Sequence, residues 1–139
     1  MATPMVLTAA YLALGGTDLS AYTSKVEITA EVEEKDVTTF ASLGWKALLG
    51  GLKSGSVSVM WKNDITDNLL DEILWNTLGL GSVSTFEVRA INTTATSSNP
   101  KYTGSCLIKA LTPISGSVGD VNEQSQTFPT SGAITRGTS

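Results

Sequence analysis

One stretch limits what this chain can fold into. Asn63–Gly81, NDITDNLLDEILWNTLGLG, is the only long segment with helical periodicity, and everything around it has the pattern of strand or turn. Ile65, Leu69, Leu70, Ile73, Leu74 and Leu78 recur at a spacing that, at about 100° per residue, gathers them on one apolar stripe. The spacing predicts a helix over about 64–78, capped by Asn63 or Asp64 and stopped by Gly79 and Gly81. Such a stripe needs a sheet to cover. Trp75 falls off it, among Asp64, Asn68, Asp71 and Glu72, so its indole needs another cover: a loop of the same chain or a neighbouring subunit.

The flanking segments supply the sheets. From Ser24 to Glu34 the alternation puts Val26, Ile28, Ala30 and Val32 on one face and Lys25, Glu27, Thr29, Glu31 and Glu33 on the other, the pattern of a half-buried strand with a largely carboxylate outer face. Met5–Leu14 is apolar enough for a buried strand, turned by Gly15, Gly16, Thr17 and Asp18. Further strands are predicted over 55–61, with Val57, Val59 and Trp61 on one side, and over 83–91, 102–111 and 121–128. Asn92–Pro100 is small and polar and is expected to be an exposed, mobile loop, and 135–139 a frayed tail. At 139 residues the chain fits one domain, 1–139, with a core of its own. The fold class is mainly β, a sandwich or barrel-like body flanked by one helix.

The segment 36–54 breaks the alternation. It combines Gly44, Gly50 and Gly51 with Phe40, Leu43, Trp45, Leu48, Leu49 and Leu52, more apolar surface than a loop ordinarily carries. Two readings stand side by side: a short helix over 42–49 packed on its own domain, or an extended arm docking on another subunit.

Several chemistries are excluded or lack support. The chain has no histidine, which removes the commonest general base and metal ligand and every Ser-His or Cys-His arrangement. Its one cysteine, Cys106, lies in a predicted strand and reads as a buried, inert thiol. Asp64, Asp67 and Asp71 share a helix face, a pattern that usually marks solvated charge and not a cation site. The pairs Gly15-Gly16 and Gly50-Gly51 fit no phosphate-cradling motif. A net charge of −4, with nine Lys plus Arg, argues against tight nucleic-acid binding. Charged residues at 16% leave the surface sparsely solubilised, as in a chain that buries its outside in an assembly or in a compact β-domain. Met1–Gly16 has neither a basic flank nor a membrane-length apolar run, so neither export nor insertion is expected. No catalytic residue, metal site or cofactor is assigned.

The order of short motifs resembles the tail tube (major tail) proteins of long-tailed bacteriophages, particularly those of actinobacterial phages. It is carried by Gly16-Thr17-Asp18-Leu19-Ser20, by Gly44-Trp45 followed by Gly50-Gly51-Leu52-Lys53-Ser54-Gly55, and by Phe86-Glu87-Val88-Arg89. Asn99-Pro100-Lys101-Tyr102-Thr103-Gly104, Gly116-Ser117-Val118-Gly119-Asp120 and Gly132-Ala133-Ile134-Thr135-Arg136 continue it to the end of the chain. The resemblance implies a tail tube fold whose subunits form hexameric rings, stacked head to tail into a hollow tube through which the genome leaves. It further implies contacts with tape measure, tail tip and terminator proteins, DNA only as non-sticking cargo, no membrane partner, and assembly in the host cytoplasm into the virion tail. In that setting Phe40, Leu43, Trp45, Leu48, Leu49 and Leu52 are candidates for ring-to-ring contact, Trp75 for a contact between subunits, and Glu27, Glu31 and Glu33 for the lumen wall. A tail terminator or head-to-tail joining ring is the nearest alternative, and a carbohydrate- or receptor-binding β-sandwich the alternative from another class.

Overall fold

The computed structural model describes residues 4–66 and 69–139. Its strands are β1 Tyr11–Leu14, β2 Thr17–Asp18, β3 Thr23–Asp36, β4 Leu48–Lys62, β5 Val83–Arg89, β6 Lys101–Leu107, β7 Glu123–Pro129 and β8 Thr135–Gly137. All pairing is antiparallel, in a five-stranded sheet ordered β2-β1-β5-β6-β8 and a three-stranded sheet ordered β3-β4-β7. The protein is mainly β, with one short helix, as the alternation requires.

The two sheets share one core. Leu12, Leu14, Phe86, Val88 and Cys106 from the larger sheet meet Val57, Val59, Trp61 and Phe128 from the smaller one. Trp61 and Phe128 lie 5.9 Å apart at 39°, and the Trp61 indole donates to Thr23 Oγ1 at 3.0 Å, so the one polar atom of that ring keeps a partner inside the core. The inward set Val57, Val59 and Trp61 is the one the alternation names. Gly15 and Gly16, at φ 59° and 83°, make the two-residue turn between β1 and β2, a conformation that glycine adopts without a Cβ penalty.

The helix is shorter than its periodicity predicts. Helix α1 spans Leu70–Glu72 and continues as wider π turns over Ile73–Leu78, closed by Gly79 at φ 79°. Leu70 and Leu74 are buried in the core, with Ile73 and Leu78 against it. The expected caps are committed elsewhere. Asn63 exchanges hydrogen bonds with Gln124 and Asn122, and Asp64 accepts from the Thr66 amide at 2.9 Å through its carboxylate and from the Asp71 amide at 3.0 Å through its carbonyl. The helix therefore starts after Leu69, with no side-chain cap, and Ile65 leaves the stripe for solvent. Asp67 and Asn68, part of the predicted helix and of the three-aspartate pattern, lie outside the described residues.

Other expectations are corrected. The first strand begins at Tyr11, and Met5, Val6 and Leu7 lie exposed. Of the expected frayed end, Thr135–Gly137 pair with Lys101–Thr103 as the edge of the larger sheet. The loop expected to be mobile is stapled by the buried Asn99, whose amide accepts from Ile91 N and donates to Ile91 O at 3.0 Å and Thr93 Oγ1 at 3.2 Å. Its Ala95 is buried too. Beside it Arg89 lies over the Tyr11 ring and 3.0 Å from the Glu87 carboxylate, an ion pair off the hydrogen-bonding direction.

Candidate assembly surface

β3 and β4 are far longer than the sheet they belong to. Partner strand β7 ends where Pro129 faces Ser56, yet β3 and β4 continue through Ala30↔Gly55, Glu31↔Ser54 and Val32↔Lys53 to Asp36↔Leu48. Beyond Gly55 they form a bare two-stranded ribbon. At about 3.3 Å per residue it carries the chain roughly 20 Å past the body before its tip.

Of the two readings for this segment, the short helix over 42–49 does not form. Residues 48–54 belong to β4, and the tip holds only a tight turn at Phe40–Ser42. Sequence alternation was uninformative here because both faces of a projecting ribbon meet solvent. Even the predicted inner face changes character: Val26 and Ile28 are half-buried, while Ala30 and Val32, one step further out, are exposed. A bulge sets two residues, Gly51 and Leu52, against Glu33 alone. A Cβ at Gly51 would come within 2.9 Å of Lys35 and 3.0 Å of Glu33, which are themselves ion-paired at 2.9 Å across it.

The tip is built by local polar bonds that sequence reasoning missed. Asp36 accepts from the Thr38 amide at 2.8 Å, and the Thr38 hydroxyl, together with that amide, holds the Asp36 carboxyl below its usual range. The Ala47 amide donates to Thr38 Oγ1 at 2.8 Å, and the Thr39 and Ser42 side chains and amides cap each other reciprocally. The signal was present as Asp-x-Thr and Thr-x-x-Ser, two local capping patterns. Leu43 closes the turn at φ 53°, a left-handed backbone that costs an L-residue roughly 1–2 kcal/mol. Strain of this kind persists where the surrounding structure fixes it. Its result is an apolar side chain presented outward.

All six apolar candidates are exposed. Phe40, Leu43 and Trp45 at the tip are 102%, 85% and 80% accessible, and Leu48, Leu49 and Leu52 line the ribbon behind them. A lone two-stranded hairpin is marginal in water, and six exposed apolar side chains on one are characteristic of a contact surface. Beside Trp45, the exposed Lys46 lies 3.8 Å from Glu34.

The carboxylate candidates also come together. They share one face of β3, Glu27 on the three-stranded body and Glu31 and Glu33 on the ribbon, among the short hydroxyls of Thr29, Ser54, Ser56, Ser58, Ser125 and Thr127 and beside Lys25 and Lys35. Ser58 and Thr127 bond across it at 3.0 Å. Trp75 stands apart, half-exposed on the π turns after α1, and lines a shallow depression together with Ile65, Thr66 and Asp71. Among the described residues no group of three or more His, Cys, Asp or Glu could hold a metal ion. No helix among them is long and apolar enough to cross a membrane. Cys106 is fully buried, and desolvation pushes its thiol up to about 11.

No family model matches the chain, and no curated protein does. Solved structures do. The chain is similar to one from the tail of an empty gene transfer agent particle, determined by helical refinement with C6 symmetry: 22% identity over 91% of this chain and 92% of that one, TM-score 0.66. It is also similar to a chain from the virion of a native gene transfer agent particle, 25% identical over 84% of this chain and 85% of that one, TM-score 0.60. The matches span the sandwich almost end to end.

Proposed function

We propose that the chain is a structural subunit of a phage-like tail that associates with copies of itself in stacked rings to form a hollow tube, with no bond-making chemistry of its own. The observation that carries the reading is the ribbon beyond Gly55: too thin to be stable alone, and ending in apolar side chains that its own protomer leaves bare. The likeness to chains of gene transfer agent tails and virions supports it, since those chains work in assemblies. Stacking head to tail requires unlike surfaces on the two sides of a ring, and a projecting arm is one such surface. The arm candidates Phe40, Leu43, Trp45, Leu48, Leu49 and Leu52 would meet the next ring, and Trp75 a neighbouring subunit. Hexameric rings are the proposed unit.

In this reading the outer face with Glu27, Glu31 and Glu33 lines the channel. Carboxylates repel phosphate and short hydroxyls leave a smooth wall, and of the lysines on this face of β3 Lys35 is paired with Glu33, so DNA would slide with little to hold it. Other tail proteins would cap the ends of the tube. Negative-stain microscopy with light scattering on the purified protein, alone and with a tail initiator, tests the proposal: tubes or stacked rings are expected. A species that stays monomeric at high concentration in both conditions overturns it, and a single ring that never stacks favours a terminator or joining ring instead.

A further inference from the structure

An arm that docks on another copy needs a receiving site, and a cavity among the described residues lies at the other end of the same strand. It measures about 570 Å³ and is lined by the N-terminal segment, β1, the β2 turn region and the first residues of β3, with Leu7, Ala10, Tyr11, Ala21 and Val26 as its apolar wall. The arm tip begins at Asp36, the last residue of β3, and the cavity sits at Thr23–Val26, its first. Thirteen steps of strand separate them, roughly 40 Å. Knob and hole on opposite ends of one rigid element are the arrangement that repeats by translation along an axis, and copies related in this way join through unlike surfaces.

Charge and area agree with this pairing. The tip carries an exposed cation and anion, Lys46 and Glu34, while the cavity rim carries an exposed anion and cation, Asp18 and Lys25. Phe40 and Trp45, at roughly 150–250 Å² each, with Leu43 beside them, would supply much of the roughly 800 Å² per partner of a standard interface. Leu7, exposed in the protomer, lines the cavity and contributes to its apolar wall. The groove at the arm root, lined by Ala30, Val32, Ala133 and Ile134, lies only a few strand steps from the tip and would give a shorter repeat along the strand, so it is the competing receptor.

We infer that the arm tip of one copy seats in the β1–β3 cavity of the next, Lys46 facing Asp18 and Glu34 facing Lys25. The inference rests on the self-assembly reading and names its receptor. The test is disulfide trapping in the full chain carrying Lys46→Cys and Ala21→Cys, where the buried Cys106 gives no background. These positions lie at opposite ends of a protomer, so mild oxidation of assembled protein is expected to give a ladder of covalent multimers. Neither single variant should pass beyond a dimer. The pair Lys46→Cys with Ala133→Cys should give no ladder. A ladder from the second pair, or polymers that form yet trap with neither, overturns the inference while leaving self-assembly intact; a wild-type chain that never assembles removes both. A charge swap reads the same contact independently. Lys46→Glu should raise the concentration needed for assembly roughly fivefold or more, and Asp18→Lys in the same chain should restore it. Failure of the double variant to recover would also overturn the pairing.

Discussion

Replacing Trp45 and Leu49 together by serine separates folding from assembly. Both are largely exposed in the protomer, at 80% and 61%, so their loss should change its stability by no more than about 0.5 kcal/mol. In a contact the figures differ. Trp45 presents roughly 200 Å², which at about 25 cal/mol per Å² is worth up to about 5 kcal/mol before the ordering of side chains is subtracted. Full burial of a leucine is worth about 1.5–3 kcal/mol, and Leu49 has a little over half of that still to gain. Allowing for ordering, the pair should cost about 4 kcal/mol per contact, close to the lower bound for two interface anchors. At 1.4 kcal/mol per decade, the critical concentration for polymerisation should rise by roughly a thousandfold. Sedimentation across a concentration series measures that shift, and circular dichroism with thermal melting checks the fold. Leu14→Ala, in the fully buried core, is the contrasting variant: it should cost about 2–5 kcal/mol of stability. A Trp45/Leu49 variant that melts like the wild type and polymerises at the same concentration would refute the role given to the arm.

Three further outcomes are expected. Glu27, Glu31 and Glu33 changed together to Lys should still allow assembly, but the tubes should co-sediment with double-stranded DNA at low salt and release it as salt rises; no retention at any salt would mean that face does not bound the channel. Cys106, with its thiol raised to about 11, should be a thiolate in roughly one molecule in a thousand at pH 8 and should react with an aromatic disulfide reagent only after unfolding restores its ordinary acidity; rapid native labelling at pH 8 would contradict its burial. Asn99→Ala strands the backbone of Ile91 and should cost about 2 kcal/mol, lowering the melting temperature by roughly 5–10 °C, whereas an unchanged melt would show that the 92–100 loop does not depend on that amide.

How far the sequence could be read depended on whether a segment has an inside. Where a strand has one covered face, period two is plain, and Val57, Val59 and Trp61, Phe86 and Val88 all point where the alternation says. The ribbon has no covered face, so Gly50 and Gly51 read as loop although they lie in β4, beside a bulge. Periodicity overran at the helix because Ile65 keeps the spacing, while a hydrogen-bonded turn at Asp64–Thr66 and the amides around Asn63 decide the backbone there. Short elements were invisible for another reason: β8 has three residues, and its pairing with β6 is a long-range fact. Conversely, the apolar richness of 36–54 was legible as composition, and the capping that turns it into a rigid tip was legible only as local motif.

The most direct test is a near-atomic helical reconstruction of the polymer formed by the purified chain. The account predicts that Phe40, Leu43 and Trp45 are covered by an adjacent copy and that the faces bearing Glu27, Glu31 and Glu33 surround an open channel. A reconstruction in which the arms hang free in solvent, or fold back against their own protomers, would contradict it.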